Sequence, residues 1–205
     1  MDIPVVIFGA GGHARVVLEL LEEAGRSVRG FVADTPDVTT LLGYPVQDWK
    51  DAIVDGSGWI VAIGDNAVRR KKAALIGSAF QKVAHRSAYL SPRMSWGEGT
   101  VVMSGASIHT AAIVGRHCIV NTHASVDHDC VLGDYVHVAP HAALCGHVEV
   151  GEGTLIGAGA IVTPRVRIGR WTVIGAGAVI RSDIPDGVMV AGNPGRIFRT
   201  IPYEP

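Results

Sequence analysis

Residues 119–150 read IVNTHASVDHDCVLGDYVHVAPHAALCGHVEV, and every sixth residue from Val120 to Val150 is Val or Leu. The same spacing runs through 84–185 without a break in register. It gives seventeen positions in phase, fifteen of them Leu, Ile or Val. Four residues further along each hexad, the side chain is usually small or β-branched. Periodicity of this kind is typical of a solenoid, in which each unit buries its apolar side chains against the next.

A six-residue period matches neither the 3.6-residue period of a helix nor the two-residue alternation of an ordinary strand. It fits a short strand followed by a corner, with three hexads closing one triangular coil. Residues eighteen apart then stack at the strand-pairing distance of roughly 4.8 Å. The first residue of each hexad points into the prism, so a slip of one residue would expose nearly the whole core.

Composition and charge place the chain among ordinary globular proteins. Its 205 residues are 48% hydrophobic and 18% charged, with a formal net charge of −1. This balance gives no reason to expect nucleic acid or an anionic membrane as a partner. No apolar run approaches the roughly eighteen residues of a membrane span, and the first eight residues lack the basic start of a secretory signal. We therefore expect a cytoplasmic protein.

The three cysteines are predicted to be buried reduced thiols. Cys118 and Cys130 fall at inward positions of their hexads, and Cys145 falls where small residues are usual. A thiol in such a place behaves as a small apolar side chain. The spacing therefore favours packing over a metal or redox role.

The first eighty residues have a different pattern, that of a strand, a glycine turn, a helix and a second strand. Residues 3–8 predict a buried strand, residues 16–24 an amphipathic helix and residues 28–33 a second strand that ends at Asp34. The intervening GAGGHA, residues 9–14, resembles the dinucleotide fingerprint with alanine in place of its last glycine. A further strand at 59–64 and a helix at 67–78 complete a unit half the size of a full dinucleotide fold. This size favours a mononucleotide or a nucleotide-sugar, and the apolar spacing changes to six near Lys82.

The histidine most suggestive of catalysis lies in the run NTHASVDHDC, residues 121–130. His128 is flanked there by Asp127 and Asp129, and a neighbouring carboxylate raises the basicity of an imidazole and can fix its tautomer. Gly146 follows His128 by eighteen residues and should stack on it in the next coil. A glycine beside a base leaves a backbone amide accessible, as an oxyanion site requires.

These features together resemble the hexapeptide-repeat acyltransferases, whose fold is the left-handed parallel β-helix. The Gly-Gly-His turn, Asp-His-Asp-Cys in the prism and Ala191-Gly192-Asn193-Pro194 at its end are similar to the nucleotide-sugar N-acetyltransferases of the bacillosamine and perosamine type. The sialic acid O-acetyltransferases are close relatives. The resemblance implies a Rossmann-like nucleotide-sugar-binding domain over residues 1–82 and a β-helix acyltransferase domain over 83–205. It also implies acetyl-CoA as co-substrate and a homotrimer with each active site between two prisms.

The resemblance carries roles over to individual residues of this chain. His128 matches the general base and Asp129 the carboxylate that supports it. His137 and the main chain at Gly146, Ala158 and Ala176 match acetyl-CoA contacts. The nucleotide-sugar site is matched by Gly11, Gly12, His13, Asp34 and Gly64. Departures from the bacillosamine enzyme, which has serine at Gly11 and a second aspartate at Ala33, affect recognition of the base and sugar. Uracil, guanine and cytosine nucleotides are all compatible with the pattern.

The C-terminal region is rich in arginine, with six arginines against two acids between residues 165 and 199. Guanidinium groups suit phosphate, so a phosphate-rich cofactor such as CoA would prefer this end of the prism. A solvated charged surface explains the same arginines equally well.

Three rival interpretations fit parts of the pattern. An amine acceptor is favoured because the nucleotide domain is small, with a hydroxyl acceptor of the sialic acid type as the alternative. A γ-type carbonic anhydrase would use zinc bound by His123, His128 and a third ligand, but that third position is Ser87, and catalytic zinc usually has three protein ligands. A non-catalytic scaffold with a nucleotide sensor is disfavoured because Asp127, His128 and Asp129 are costly to keep beside an apolar wall.

Overall fold

The structure, a computed structural model, describes residues 3–52, 56–77 and 79–202. It begins with a parallel sheet made of β1 (Val5–Phe8), β2 (Val28–Ala33) and β5 (Gly58–Val61), which a hairpin of β3 (Thr40–Leu41) and β4 (Tyr44–Asp48) extends. The strand order is β3-β4-β2-β1-β5, and only β3 pairs antiparallel. The sequence pattern does not predict the hairpin, because its two short strands lack a strong alternation.

Two helices flank this sheet, α1 (Gly12–Glu23) and α2 (Asn66–Ile76). The predicted start of α1 at Val16 is wrong by four residues. The chain turns directly from the glycines into the helix, with Gly11 as an extended N-cap (φ −84°, ψ −170°). α2 starts one residue before its predicted range, capped by the Asp65 carboxylate, which accepts from the Val68 amide at 2.9 Å. The predicted end of α2, Ser78, lies outside the described residues.

The prism follows as seventeen two-residue strands, one for each hexad. Three faces repeat in turn. Face 1 contains β6 (Val83–Ala84), β9 (Val101–Val102), β12 (Ile119–Val120), β15 (His137–Val138), β18 (Leu155–Ile156) and β21 (Val173–Ile174); face 2 contains β7 (Tyr89–Leu90), β10 (Ser107–Ile108), β13 (Ser125–Val126), β16 (Ala143–Leu144), β19 (Ile161–Val162) and β22 (Val179–Ile180); face 3 contains β8 (Ser95–Trp96), β11 (Ile113–Val114), β14 (Val131–Leu132), β17 (Glu149–Val150) and β20 (Arg167–Ile168). At the end of the prism, β23 (Val188–Ala191) and β24 (Arg196–Thr200) extend face 1 as an antiparallel pair.

The predicted register is confirmed. Every ladder between the strands β6 to β22 pairs residues eighteen apart, as in Ser107 with Ser125 and Val126 with Leu144. The first-position side chains from Val102 to Ile180 are at most 3% exposed and form one continuous core. The hexad spacing dictates this packing, because each aliphatic side chain leaves water only in this register.

The prism corners impose an unusual backbone. Fourteen residues at six-residue spacing, from Gly99 to Gly177, have φ between 50° and 73°. Nine of them are not glycine, and His and Asp are among the residues enriched in this left-handed region. Four of the clustered histidines, and also Asp129, occupy this corner position: His117, His123, His141 and His147. Corner geometry therefore explains much of the crowding of histidines in the middle coils.

The N-terminal sheet is docked on face 1. α1 and β1 share one apolar cluster with the outward side chains of Val83, Val101 and Ile119 on that face. Neither α1 nor α2, the helices of the described residues, has the length and apolar character that a membrane crossing requires.

Candidate active site

The corner between β13 and β14 presents the acid-flanked histidine to solvent. Because β13 belongs to face 2 and β14 to face 3, His128 lies on the edge between these two faces, with its side chain 47% exposed. Its Nδ1 lies 2.7 Å from Oδ2 of Asp129. A carboxylate at this distance accepts a hydrogen bond from the N–H at Nδ1, which leaves the lone pair of the neutral ring on Nε2.

The two aspartates that flank His128 make different hydrogen bonds. The Oδ1 atom of Asp127 accepts a hydrogen bond from the backbone amide of His128 at 2.7 Å, so this carboxylate fixes the turn. Asp129 has a φ of 59° and binds the ring itself. The left-handed corner residue is therefore the orienting group for the imidazole, a choice that the sequence pattern leaves undecided.

Gly146 stacks against His128 in the next coil, as its spacing predicts. A Cβ built at Gly146 would lie 2.6 Å from both Nε2 and Cε1 of His128, closer than real side chains approach. The amides on either side, of Cys145 and His147, donate to the carbonyls of Val162 and His128. Among the described residues no such bond involves the Gly146 amide. The missing side chain thus keeps the Nε2 edge of the ring open beside an available N–H.

The turn between β1 and α1 leaves backbone donors available. The N-cap residue Gly11 has no side chain that could cap α1, and the first helical turn contains no acidic residue. A Cβ at Gly11 or Gly12 would meet no atom within 4 Å, so both glycines border open space. A helix N-terminus of this kind presents free N–H groups and a positive partial charge to an anion such as phosphate.

His13 is a buried neutral imidazole beside this turn. Burial, with the nearby Arg69 guanidinium as a smaller cause, lowers the pKa of His13 to about 4. Its Nε2 atom is buried and has no hydrogen-bond partner among the described residues. A buried polar atom without a partner is costly, and a polar ligand in the turn would satisfy it.

Two further residues of the predicted nucleotide-sugar site have defined partners. Asp34, at the end of β2, is exposed and pairs with Lys72 of α2 at 2.6 Å. The Gly64 carbonyl, after β5, accepts a hydrogen bond from Nη1 of Arg69 at 3.1 Å. The main chain of Gly64 also lies close to the His137 ring, where it partly offsets the lowering of the His137 pKa.

His137 therefore lies near His13, in the first turn of α1, and near Gly64, although the resemblance assigns it to acetyl-CoA. Its Nε2 accepts a hydrogen bond from the side-chain amide group of Asn121 at 3.1 Å. Burial chiefly, with Arg69 and His13 as smaller causes, lowers the pKa of His137 to about 3. A neutral ring in this position lies where the N-terminal unit meets face 1, within reach of ligands on either side.

Arg69 is a buried residue that joins the two units, together with its helix neighbours Asn66 and Arg70, and no motif in the sequence indicates this role. It is 1% exposed. Its guanidinium donates to the carbonyls of Ile63 and Gly64 on one side and to those of His117 and Tyr135 on the prism, at 2.8 to 3.1 Å, and to Oδ1 of Asn66 at 2.7 Å. Burial lowers its pKa to about 10, so it stays charged at neutral pH. From the sequence alone, an arginine on a helix as polar as α2 would be expected to face solvent.

Ala158 and Ala176 lie on the edge between faces 1 and 2, where both are exposed. The residues after them, Gly159 and Gly177, have positive φ, and a Cβ at either would meet no atom within 4 Å. In the coils before them the same corner holds the stacked rings of His123 and His141, whose centroids are 5.3 Å apart. Beyond these rings the edge carries only small exposed residues at the predicted CoA contacts.

The remaining residues singled out in the sequence take ordinary roles. Cys118 and Cys130 are buried and Cys145 is partly buried, and all three are free thiols. Burial raises the pKa of Cys118 to about 12 and that of Cys130 to about 11, which disfavours nucleophilic thiolates. Ser87 binds His85 and Ser104. The six C-terminal arginines are exposed and are spread over two edges, face 3 and β24.

The docked α/β unit and the histidine-bearing prism define a class, the hexapeptide-repeat transferases of two-part architecture. Comparison with known families agrees. The PglD N-terminal domain matches residues 4–76 and the bacterial transferase hexapeptide of six repeats matches residues 147–182. A comparison with curated protein sequences gave no significant match.

Solved structures identify the family. PerB from Caulobacter crescentus, in complex with CoA and GDP-perosamine, is 42% identical over 96% of this chain and 97% of its own, with a TM-score of 0.88. The acetyltransferase domain of PglB from Neisseria gonorrhoeae FA1090, in complex with acetyl coenzyme A, is 35% identical over 97% and 100%, with a TM-score of 0.88. WeeI from Acinetobacter baumannii AYE is 28% identical over 96% and 100%, with a TM-score of 0.89. The chain belongs to this family of hexapeptide-repeat sugar N-acetyltransferases and has its left-handed β-helix, so it is an acetyltransferase.

Proposed function

We propose that the chain transfers the acetyl group of acetyl-CoA to the amino group of a nucleotide-linked amino-deoxysugar, with His128 as general base. The observation that carries the proposal is the pairing of His128 Nδ1 with Asp129 at 2.7 Å while Nε2 faces Gly146. Similar proteins have been solved with acetyl coenzyme A, or with CoA and GDP-perosamine. Residues 1–82 would bind the nucleotide-sugar and residues 83–205 the acetyl donor.

In this mechanism the neutral sugar amine attacks the thioester carbonyl carbon. The C–N bond forms first and gives a tetrahedral oxyanion, while the amine proton passes to Nε2 of His128. The C–S bond breaks when this intermediate collapses and CoA leaves as the thiolate. The imidazolium that results is stabilised by Asp129, and it can return the proton to the departing CoA thiolate. The Gly146 amide would stabilise the oxyanion of the tetrahedral intermediate. The high thiol pKa values of Cys118 and Cys130 favour this direct transfer over an acetyl-cysteine intermediate.

We further infer that the complete site needs a second copy of the chain. His13 and Gly64 lie beside His137 of face 1, whereas His128 lies on the edge opposite to that face. Six residues per side at roughly 3.3 Å each give a prism about 15–20 Å across. An amine held at face 1 would therefore be far from the base of its own copy, while proton transfer requires about 3 Å. A ring of three copies would bring the His128 edge of each copy against the edge of the next copy that carries Ala158 and Ala176.

Replacement of His128 tests the proposed chemistry. General base catalysis typically contributes about 10²–10⁴-fold, so His128→Ala should lower the rate of CoA release by that factor. The ring is exposed, so circular dichroism and the melting temperature should be preserved. Near-full activity of this variant would exclude His128 as the base. Asp129→Asn, which keeps a side chain of the same shape beside the ring, is expected to lose less, because Asp129 acts through His128.

A further inference from the structure

The His128 edge carries a third ionisable side chain that the proposed mechanism does not use. His147, one coil beyond Asp129, places its Nε2 atom 3.7 Å from Oδ2 of Asp129. Its ring meets that of His128 edge-on, with centroids 5.2 Å apart and planes at 90°. The carboxylate thus lies between two imidazoles that approach it from different directions.

The spacing of these donors suits a small divalent ion. One nitrogen or oxygen from each of His128, Asp129 and His147 lies within 4.8 Å of the other two. Zinc–nitrogen bonds of 2.0–2.1 Å in a tetrahedral site place neighbouring donors roughly 3.4 Å apart. The distances of 2.7 Å and 3.7 Å from Asp129 to the two rings lie on either side of this value. Small rotations of exposed side chains would equalise them.

The nature and exposure of the donors select the class of ion. Two imidazoles and one carboxylate favour Zn²⁺, Ni²⁺ or Cu²⁺ over Mg²⁺ or Ca²⁺, which prefer oxygen ligands only. All three side chains are between 45% and 47% exposed, so an ion can enter from solvent without opening the prism. Corner geometry fixes the backbone on both sides, with φ of 59° at Asp129 and 61° at His147.

We propose that His128, Asp129 and His147 form a binding site for a divalent transition metal, and that the bound metal inhibits the enzyme. The ion would occupy the space between Nδ1 of His128 and Asp129, in place of the proton they share. The single N–H proton of the neutral ring would then move from Nδ1 to Nε2, which would have no lone pair left to accept the amine proton. The inhibitory part rests on the proposed function, whereas the binding part stands on the three side chains alone.

Binding is measured first, on the full-length protein without substrates, by titration with Co²⁺ as a spectroscopic substitute for zinc. Visible d–d absorption that saturates at one ion per chain is expected. Even an outer-shell partner typically contributes about 10–100-fold to metal affinity, so His147→Asn should weaken binding at least about tenfold. The matched control is His141→Asn, which alters the other paired imidazole at a corner of the same left-handed geometry and should bind Co²⁺ as the wild type does. Asparagine tolerates the positive φ at both positions.

Inhibition is measured second, as CoA release against free Zn²⁺, with each variant compared with its own metal-free rate. His147→Asn should need at least about tenfold more zinc for half-inhibition than either the wild type or His141→Asn, in line with the lost affinity. No saturable Co²⁺ signal, or equal affinity in His147→Asn, would overturn the site. Binding that depends on His147 but leaves the rate unchanged would overturn the inhibition. A protein that binds Co²⁺ through His147 but acetylates no nucleotide amino-sugar would leave the site supported and the proposed function refuted.

Discussion

The contact between Gly146 and His128 offers a precise perturbation of the proposed base. The backbone of Gly146 is not among those with positive φ, so alanine fits its conformation without strain. The new Cβ would lie 2.6 Å from Nε2 and Cε1 of the ring, whereas ordinary contacts between such atoms are about 3.5 Å. The difference means that the imidazole must move by roughly 0.9 Å to restore ordinary contact, or the methyl group must cover Nε2.

A displacement of this size is large for proton transfer, since a misplacement of about 1 Å can cost about 10²-fold. We expect Gly146→Ala to lower the rate of CoA release by about 10- to 100-fold. The melting temperature should change little, because the exposed ring can move into solvent. The assay is CoA release at saturating acetyl-CoA and nucleotide amino-sugar, with thermal unfolding of the same preparations.

A double-mutant cycle identifies the cause of the loss. If Gly146→Ala acts through the ring, the same substitution in a His128→Ala background should cost little more. Wild-type activity in the single variant would refute the idea that Gly146 keeps Nε2 accessible. An equal loss in both backgrounds would refute the steric route and favour a direct role of the Gly146 amide.

Two further predictions concern the assembly and its internal joint. Mixed oligomers of His13→Ala and His128→Ala chains should be more active than oligomers of either variant alone. Some of their interfaces would combine an intact His13 from one chain with an intact His128 from the other. No recovery of activity in verified mixed oligomers would contradict a shared site. Arg69→Met leaves several buried carbonyls without a donor, each costing about 1–3 kcal/mol, so a marked loss of thermal stability and a higher KM for the nucleotide-sugar are expected. Lys71→Met, at an exposed position of the same helix, is the control, and equal melting temperatures for both variants would contradict the proposed role of Arg69.

The prism can be predicted almost completely because its pattern is local and redundant. Each hexad repeats the same burial rule, so the eighteen-residue pairing and the approach of Gly146 to His128 follow from counting. The α/β unit is less predictable. The apolar pattern places the start of α1 at Val16 and not at Gly12, since glycines are poor helix formers and their role at the N-terminus is set by the turn. The hairpin of β3 and β4 cannot be predicted from the apolar pattern, because the pairing of β4 with β2 stabilises it.

The candidate site, too, can be predicted from the sequence only in part. Spacing brings His128 and Gly146 together, but the choice between Asp127 and Asp129 as ring partner depends on the left-handed corner at Asp129. His147 follows Asp129 by eighteen residues, so their stacking also follows from counting, but the 3.7 Å approach of its Nε2 to the carboxylate depends on the corner geometry. Arg69 cannot be identified from its helix, because its five acceptors are four backbone carbonyls and one amide oxygen, none of which a residue pattern reveals.

By itself, the sequence determined the solenoid, its register and the pairing of an acid-flanked imidazole with a glycine eighteen residues later, since an unbroken period of six permits one arrangement that buries the aliphatic side chains. Only the tertiary structure decided how the α/β unit docks on face 1 and that His128 lies on the opposite edge. Those relations depend on contacts between surfaces far apart in the chain, such as the buried guanidinium of Arg69 against the corners at His117 and Tyr135. Local spacing carries no information about such contacts.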